Sequence, residues 1–423
     1  MVRFVAAEHR ADGTIGAADY QIAGAPGDGW EVRRDGVVVL TLDAGYRLLR
    51  TRHCGVCATD LARHRLPFPL PQVTGHEVIA EDDDGRAVAV EINASHAARR
   101  LPVEQWCARC RAGLDTHCPD RLVLGINGLP GGFSPWILAP AGAIVPLPAG
   151  LDPLVATLLE PFAAAWHAVE TIAPANGDTV AVLGLGRLGT LVVAALAAYR
   201  RYRGCSFGIV GLARDPARAA LAGTLGADEV RVWDEARGRR GAADVVVETT
   251  GAPEGLAIAL ELARREVHLK STTGQPSCGL RYATELVVDE LRLLPADALG
   301  SSPGPEVAIV SSLAEIDAAI RPDPSAERAA VGPRGTLALI VPRGAPHPLL
   351  DAVGGRGLRL TTSRCGDLRR ALPVLHEIAA GGIARLVTRV LPAARLAEGY
   401  AAARVPGAGK IVMRHPGFEA GTP

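Results

Sequence analysis

The alternation of apolar and polar positions divides the chain into three textures. From residue 1 to about 165 the apolar runs are short, as in Val37 to Leu42, Tyr46 to Arg50, Ala87 to Ile92 and Ile137 to Pro148, and Gly, Pro and Asp break them. Short runs with that punctuation predict an irregular β-rich domain. From about residue 177 the pattern lengthens. "DTVAVLGLGRLGTLVVAALAAYRR" reads as a strand, a glycine turn and a long apolar helix, and "GCSFGIVGLARDPARAALAGTLGADEV" repeats strand then helix. "AADVVVETTG" and "EVHLKSTTG" add two buried strands, so this part alternates β and α as a doubly wound parallel sheet does. Past Gly382, "IARLVTRVLPAARLAEGYAAARVPGAGKIVMRH" gives strand, helix and strand, and is expected to rejoin the first domain.

Between about Pro295 and Gly355 a helix-like "LAEIDAAI" and a strand-like "TLALIVP" lie among Pro and Gly clusters. The segment is too apolar for a disordered linker and reads as a small folded insertion. The expected organisation is therefore a first domain over 1–168, a coenzyme-type domain over 169–372 carrying the insertion at about 295–355, and a return over 373–423.

Charge narrows the partners. The 423 residues hold 45 basic and 45 acidic side chains, so no electrostatic footprint favours nucleic acid or an anionic membrane. A small molecule is the expected partner. No apolar run of signal-peptide length opens the chain, and none approaches the ~18 to 20 residues that span a bilayer, so a soluble, cytoplasmic protein is expected. Only Lys270 and Lys410 are lysines; the other basic residues are arginines. Eight cysteines are few for this length, and five fall between Cys54 and Cys118, which points to metal rather than to disulfides.

Gly184, Gly186 and Gly189 form GxGxxG directly after "TVAVL" and before the apolar helix, with Arg187 and Leu188 between the second and third glycines. In that context the motif is a dinucleotide fingerprint: a tight turn, a close backbone approach to a pyrophosphate, and a helix packed near its strand. An acidic residue ending the second strand would bind a ribose hydroxyl. The strand over "SFGIVGLA" instead ends without a carboxylate, and Arg214 and Arg218 follow on one helical face. Two guanidiniums match a 2′-phosphate, so NADP is preferred to NAD, with Asp215 as the counter-argument.

"RTRHCGVCATDLARHR" pairs Cys54 with Cys57 at a spacing open to a redox pair, half a zinc knot or a single working thiol. Cys57 in "CATD", His76 in "TGHE" and Glu160 in "LLEPFAAAWH" together make a thiolate, imidazole and carboxylate set for zinc with a fourth position open. A second group, "EQWCARCRAGLDTHC", places Cys107, Cys110 and Cys118 where a structural tetrahedral zinc needs one more donor. Glu104 is the expected donor, with His117 in reserve.

"CGVCATD", "TGHE", "CARCRAGLDTHC", "GGFSPWILAPAGAIVPLP", "LLEP", "GLGRLG" and "ETTG", in this order, resemble the zinc-dependent medium-chain dehydrogenases/reductases from about residue 45 to 290 and again from about 360 to 415. The resemblance implies a GroES-like catalytic domain built from both chain ends, a Rossmann domain between them, and homodimers or homotetramers assembled largely through the coenzyme domain. It implies catalytic zinc on Cys57, His76 and Glu160, with Glu77 as a neighbouring carboxylate, Thr59 as the hydroxyl that meets the substrate alcohol, and Asp60 in support. Thr250, in "ETTG", falls to the coenzyme site. Glu104 stands where the family has a fourth structural cysteine, and Ala62 where it often has a relay histidine, with His64 two residues on.

The function implied is reversible hydride transfer between a secondary alcohol, of polyol, sugar or cyclitol type, and a nicotinamide. A zinc-free quinone or enoyl reductase, or a catalytically silent nucleotide-binding relative, are the alternatives.

Overall fold

The computed structural model of the chain describes residues 1–214, 216–233, 238–299, 306–321, 331–342 and 344–417. The chain divides into two compact units: Met1–Pro161 with Asp367–Ala380 and Ala384–Pro423, and Phe162–Gly366 with Gly381–Ile383. The boundary falls inside the helix Leu159–Ile172.

The first unit is β-rich. Strands Val2–His9, Ile15–Ala25, Gly29–Arg34 and Val37–Leu42 form an antiparallel meander in sequence order. A larger sheet has the order Ile144–Pro146, Ala87–Val90, Glu77–Glu81, Tyr46–Gly55, Lys410–Arg414, Val387–Pro392, with Trp136–Pro140 also paired to Tyr46–Gly55. Two pairings in this sheet bring distant stretches of chain together. Gly55 lies opposite Glu77 on one side and Val412 on the other, so the end of the chain is laced beside the strand that carries Cys54 into the Cys57 turn.

The second unit is a parallel sheet. Its first six strands run Glu229–Val232, Gly208–Ala213, Thr179–Leu183, Ala243–Glu248, Ala263–Leu269, Arg359–Thr362, which is the 3-2-1-4-5-6 order of a dinucleotide fold. Thr179–Leu183 is buried almost throughout, as expected for a strand covered on both faces. The insertion does not sit apart from this sheet. Arg292–Pro295 joins it antiparallel to Arg359–Thr362 through Leu293 and Leu360, and Thr336–Leu339 and Val307–Val310 continue outward. Val310, Ile316, Leu337 and Leu339 share one apolar core with Leu183, Val246 and Val267. The expected helix and strand of the insertion are Leu313–Ile320 and Thr336–Leu339, while its stretches 300–305, 322–330 and residue 343 lie outside the described residues.

Candidate functional site: two metal-donor groups and a dinucleotide turn

Cys57 ends the loop that leaves strand Tyr46–Gly55 and caps the single turn Ala58–Leu61. Asp60, the third residue of that turn, accepts a hydrogen bond from the Cys57 backbone N–H at 2.8 Å through Oδ2. Its Oδ1 accepts from the Gly75 N–H at 3.1 Å and lies 3.5 Å from His76 Nδ1. One buried carboxylate therefore ties the Cys57 turn to the "TGH" segment. His76 Nδ1 makes an ion pair with Asp60 at that distance without a hydrogen bond. Burial works against a charged His76, yet Asp60 and the Cys57 thiol outweigh it and hold its pKa well above the ordinary imidazole range.

The donor atoms of Cys57, His76 and Glu77 lie within 4.8 Å of one another. Thiol, imidazole and carboxylate at that separation match the ligand chemistry of zinc. Thr59 Oγ1 is 3.8 Å from Cys57 Sγ, on the same turn. Glu160 is half-buried in the first turn of helix Leu159–Ile172 and is not in this donor group. The carboxylate that joins Cys57 and His76 is instead Glu77, because it begins the strand that His76 precedes. Both Glu77 oxygens also meet Lys410 Nζ at 2.5 Å. Lys410 lies 333 residues further along the chain, and only sheet register could reveal it. Cys54 is fully buried, and burial, with Asp60 and Glu77 nearby, pushes its thiol well above the usual range, so it stays protonated.

The second cysteine group also gathers, with one change of member. Cys107, Cys110, Cys118 and His96 offer donor atoms within 4.8 Å of one another. Glu104 is not among them. It lies on the 3-10 turn Val103–Gln105, exposed, with its carbonyl accepting from Arg111 at 3.0 Å. That turn directs residue 104 to solvent. His117, the reserve donor, is buried with Nδ1 at 3.1 Å from Thr116 Oγ1 and is likewise outside the group. His96 carried no signal in the cysteine spacing.

In the second unit the glycine turn has the shape its motif calls for. Gly184 has φ +94°, and a Cβ there would meet Thr250 Cγ2 at 2.7 Å. A Cβ on Gly189 would lie 2.0 Å from the Gly184 carbonyl oxygen, so helix Arg187–Arg203 can start this close to its strand only without one. Gly186 caps the helix and faces open space, while Arg187 and Leu188 form its first turn. Thr250 packs at the turn and is held by Glu248, whose carboxylate accepts from the Thr250 N–H at 2.7 Å and from Ser271 at 2.6 Å. Strand Gly208–Ala213 ends without an acid. Arg214 follows it, exposed, with its guanidinium 4.4 Å over the Trp233 ring and 3.3 Å from Glu254. Arg218 is buried, and Asp215 lies outside the described residues.

With this geometry in view, the likeness to known proteins is specific. The model of the alcohol dehydrogenase GroES-like domain matches residues 43–149. That stretch carries the alcohol dehydrogenase GroES-like domain. L-galactonate-5-dehydrogenase of Escherichia coli (strain K12) is 36% identical over 147 residues, covering 34% of this chain and 43% of the relative. L-threonine 3-dehydrogenase of Bacillus velezensis is 29% identical over 252 residues, covering 54% of this chain and 70% of the relative. The chain thus spans under half of the first relative's length and about two thirds of the second's.

Among solved structures, a protein of Sinorhizobium meliloti 1021 described as a zinc-binding dehydrogenase bound to NADP superposes with TM-score 0.63 at 18% identity, covering 98% of this chain and 100% of that one. L-idonate 5-dehydrogenase of Escherichia coli K-12 superposes with TM-score 0.59 at 18% identity over 98% and 99% of the two chains. At those identities the superpositions establish the fold alone. Among its described residues no helix is long and apolar enough to cross a membrane.

Proposed function

We propose that this chain is a zinc-dependent medium-chain dehydrogenase that catalyses reversible hydride transfer between a secondary alcohol of polyol, sugar or cyclitol type and a nicotinamide dinucleotide. The observation that carries the reading is the grouping of the Cys57, His76 and Glu77 donor atoms within 4.8 Å in a chain that also carries a complete glycine turn. Relatives named for L-galactonate, L-threonine and L-idonate favour a hydroxylated substrate.

Cys57 and His76 would hold a zinc ion, with Glu160 as the third donor implied by the family and Glu77 as the donor this geometry supplies. A bound zinc would supply Lewis-acid chemistry that eases deprotonation of an alcohol, and a bound nicotinamide would supply the hydride chemistry. The chain's own residues do the rest. Asp60, which accepts from the Cys57 and Gly75 N–H groups, would keep the thiol and imidazole in register, and Thr59, on the same turn as Cys57, would accept and pass the alcohol proton. Ala62 is buried and His64 is exposed, so the proton leaves by a route other than an imidazole at position 62, through water.

NADP is the proposed coenzyme. Arg214 supplies the guanidinium for a 2′-phosphate, and the strand before it ends without a competing acid. Gly184, Gly186 and Gly189 with Arg187 and Leu188 form the pyrophosphate turn, Thr250 flanks it, and Arg218 is the second expected basic group. Cys107, Cys110 and Cys118 are proposed to hold a structural metal, and the protein is proposed to be a cytoplasmic homodimer or homotetramer.

The test is a panel of polyols, aldonates and L-threonine with NADP and NAD, followed by reduced-nicotinamide absorbance and run beside metal analysis. Cys57→Ser should abolish turnover and remove one metal while dinucleotide binding persists; turnover retained without that metal sinks the assignment. Glu160→Ala and Glu77→Ala, compared for metal content, identify the third donor.

A further inference from the structure

The cysteine-rich lobe sets three thiols beside an imidazole that the spacing of the cysteines does not indicate. His96 precedes Cys107 by eleven residues and follows the short strand Asn93–Ala94. Its backbone is fixed by a closed turn: Ser95 Oγ accepts from Ala98 N–H at 3.1 Å, Ser95 O from Arg99 N–H at 3.0 Å, and His96 O from Leu101 N–H at 3.1 Å. The ring is buried to 8% exposure.

Its two nitrogens meet different chemistry. Nε2 lies 3.3 Å from the carboxylate of Asp120, while Nδ1 lies 3.6 Å from Cys118 Sγ and accepts from the Cys107 N–H at 3.1 Å. A carboxylate at one ring nitrogen keeps the proton there, and the other nitrogen keeps its lone pair. That lone pair is on the thiol side. Cys107 Sγ and Cys118 Sγ are 3.9 Å apart, and Cys107 Sγ also accepts from the Cys110 N–H at 3.4 Å, a contact that favours a charged sulfur.

We propose that this lobe binds a structural zinc ion through Cys107, Cys110, Cys118 and His96 Nδ1, with Asp120 orienting the imidazole from its far side. The proposal rests on a structural metal in this lobe and replaces its fourth donor. Three thiolates and one imidazole are a closed Cys₃His set, whereas Glu104 would bring a hard oxygen from an exposed turn. A metal must take the Nδ1 lone pair from the Cys107 N–H. It therefore exchanges one weak hydrogen bond for one coordinate bond and leaves the Asp120 contact in place.

The experiment is elemental analysis of the purified full-length chain and its variants, with thiol titration and cobalt substitution. His96→Ala should lose one equivalent of zinc per chain and keep the equivalent that Cys57→Ser removes. Glu104→Ala should keep both. If His96→Ala does not fold, His96→Cys decides the matter, since it should retain the metal and intensify and shift the cobalt–thiolate absorption toward that of a four-cysteine site. Asp120→Asn should weaken zinc retention against a chelator about 10-fold or more, as loss of an orienting partner does.

Full zinc content in His96→Ala, loss of an equivalent in Glu104→Ala, or an unchanged cobalt spectrum in His96→Cys would each overturn the assignment. So would a wild-type chain with no metal in this lobe and two of its thiols oxidised. None of these readouts depends on turnover, so failure of the oxidoreductase reading leaves this one independently testable.

Discussion

Lys410 and Glu77 show how much one residue pair can carry. In a chain whose other basic residues are all arginine, Lys270 and Lys410 are the lysines, and both are buried. An ammonium is a compact point charge with three donors, where arginine carries a planar five-donor fork. Lys270 Nζ donates to Ser363 O at 2.7 Å and to Ser363 Oγ at 3.1 Å, beside the carboxyl end of its sheet. Lys410 neutralises Glu77 one residue from His76. Lys410→Met should therefore lower stability by about 3 to 5 kcal/mol, because it leaves a buried carboxylate uncompensated. Urea unfolding reads this directly, and an unchanged midpoint would show that Glu77 has another partner. At the same scale, Cys54 and Cys57 have opposite fates despite their spacing. One thiol is enclosed by burial, and the other stands beside His76 and Thr59.

The N-terminal meander encloses a buried carboxylate paired with arginine. Glu8 is fully buried and accepts from Arg34 at 2.5 and 2.7 Å and from Tyr20 Oη at 3.0 Å. Burial pushes the Glu8 carboxyl up, but Arg34 and Tyr20 outweigh it and its pKa is lowered. A lowered folded-state pKa stabilises above the unfolded value of about 4.3, and that contribution is lost as pH falls through the folded value. Glu8→Gln should cost roughly 1.5 to 3 kcal/mol at neutral pH. The gap between the variant and wild type should close below about pH 4. Denaturant melts across that range test the sign, and a gap that widened in acid would contradict it. The insertion makes the complementary point about elements. Its apolar helix and strand were readable from the pattern, but that Arg292–Pro295 would join the sheet antiparallel to Arg359–Thr362 depends on a pairing between distant segments.

At the scale of the whole molecule, both ends of the chain build the unit that carries the metal donors, and the middle builds the unit that carries the glycine turn. That separation makes a prediction. NADP at a hundred times its Kd should stabilise the chain by about 2.7 kcal/mol. Cys57→Ser should show the same increment, measured by calorimetry, since its metal donors and the turn lie in different units. Loss of the increment in the variant would show that nucleotide binding depends on the metal site.

What the sequence determined alone was local. The strand, turn and helix around Gly184, the turn holding Cys57, Thr59 and Asp60, and the Cys107–Cys110 knuckle each complete their logic within a few residues, so composition and spacing suffice. The tertiary structure decided the neighbours supplied from a distance: His96, rather than Glu104, beside the three cysteines, Glu77 beside Cys57 and His76, and Lys410 on Glu77. Those depend on which way a turn points residue 104 and on Gly55 being paired with both Glu77 and Val412. Register of that kind is set by the packing of the whole sheet, and no local window of sequence contains it.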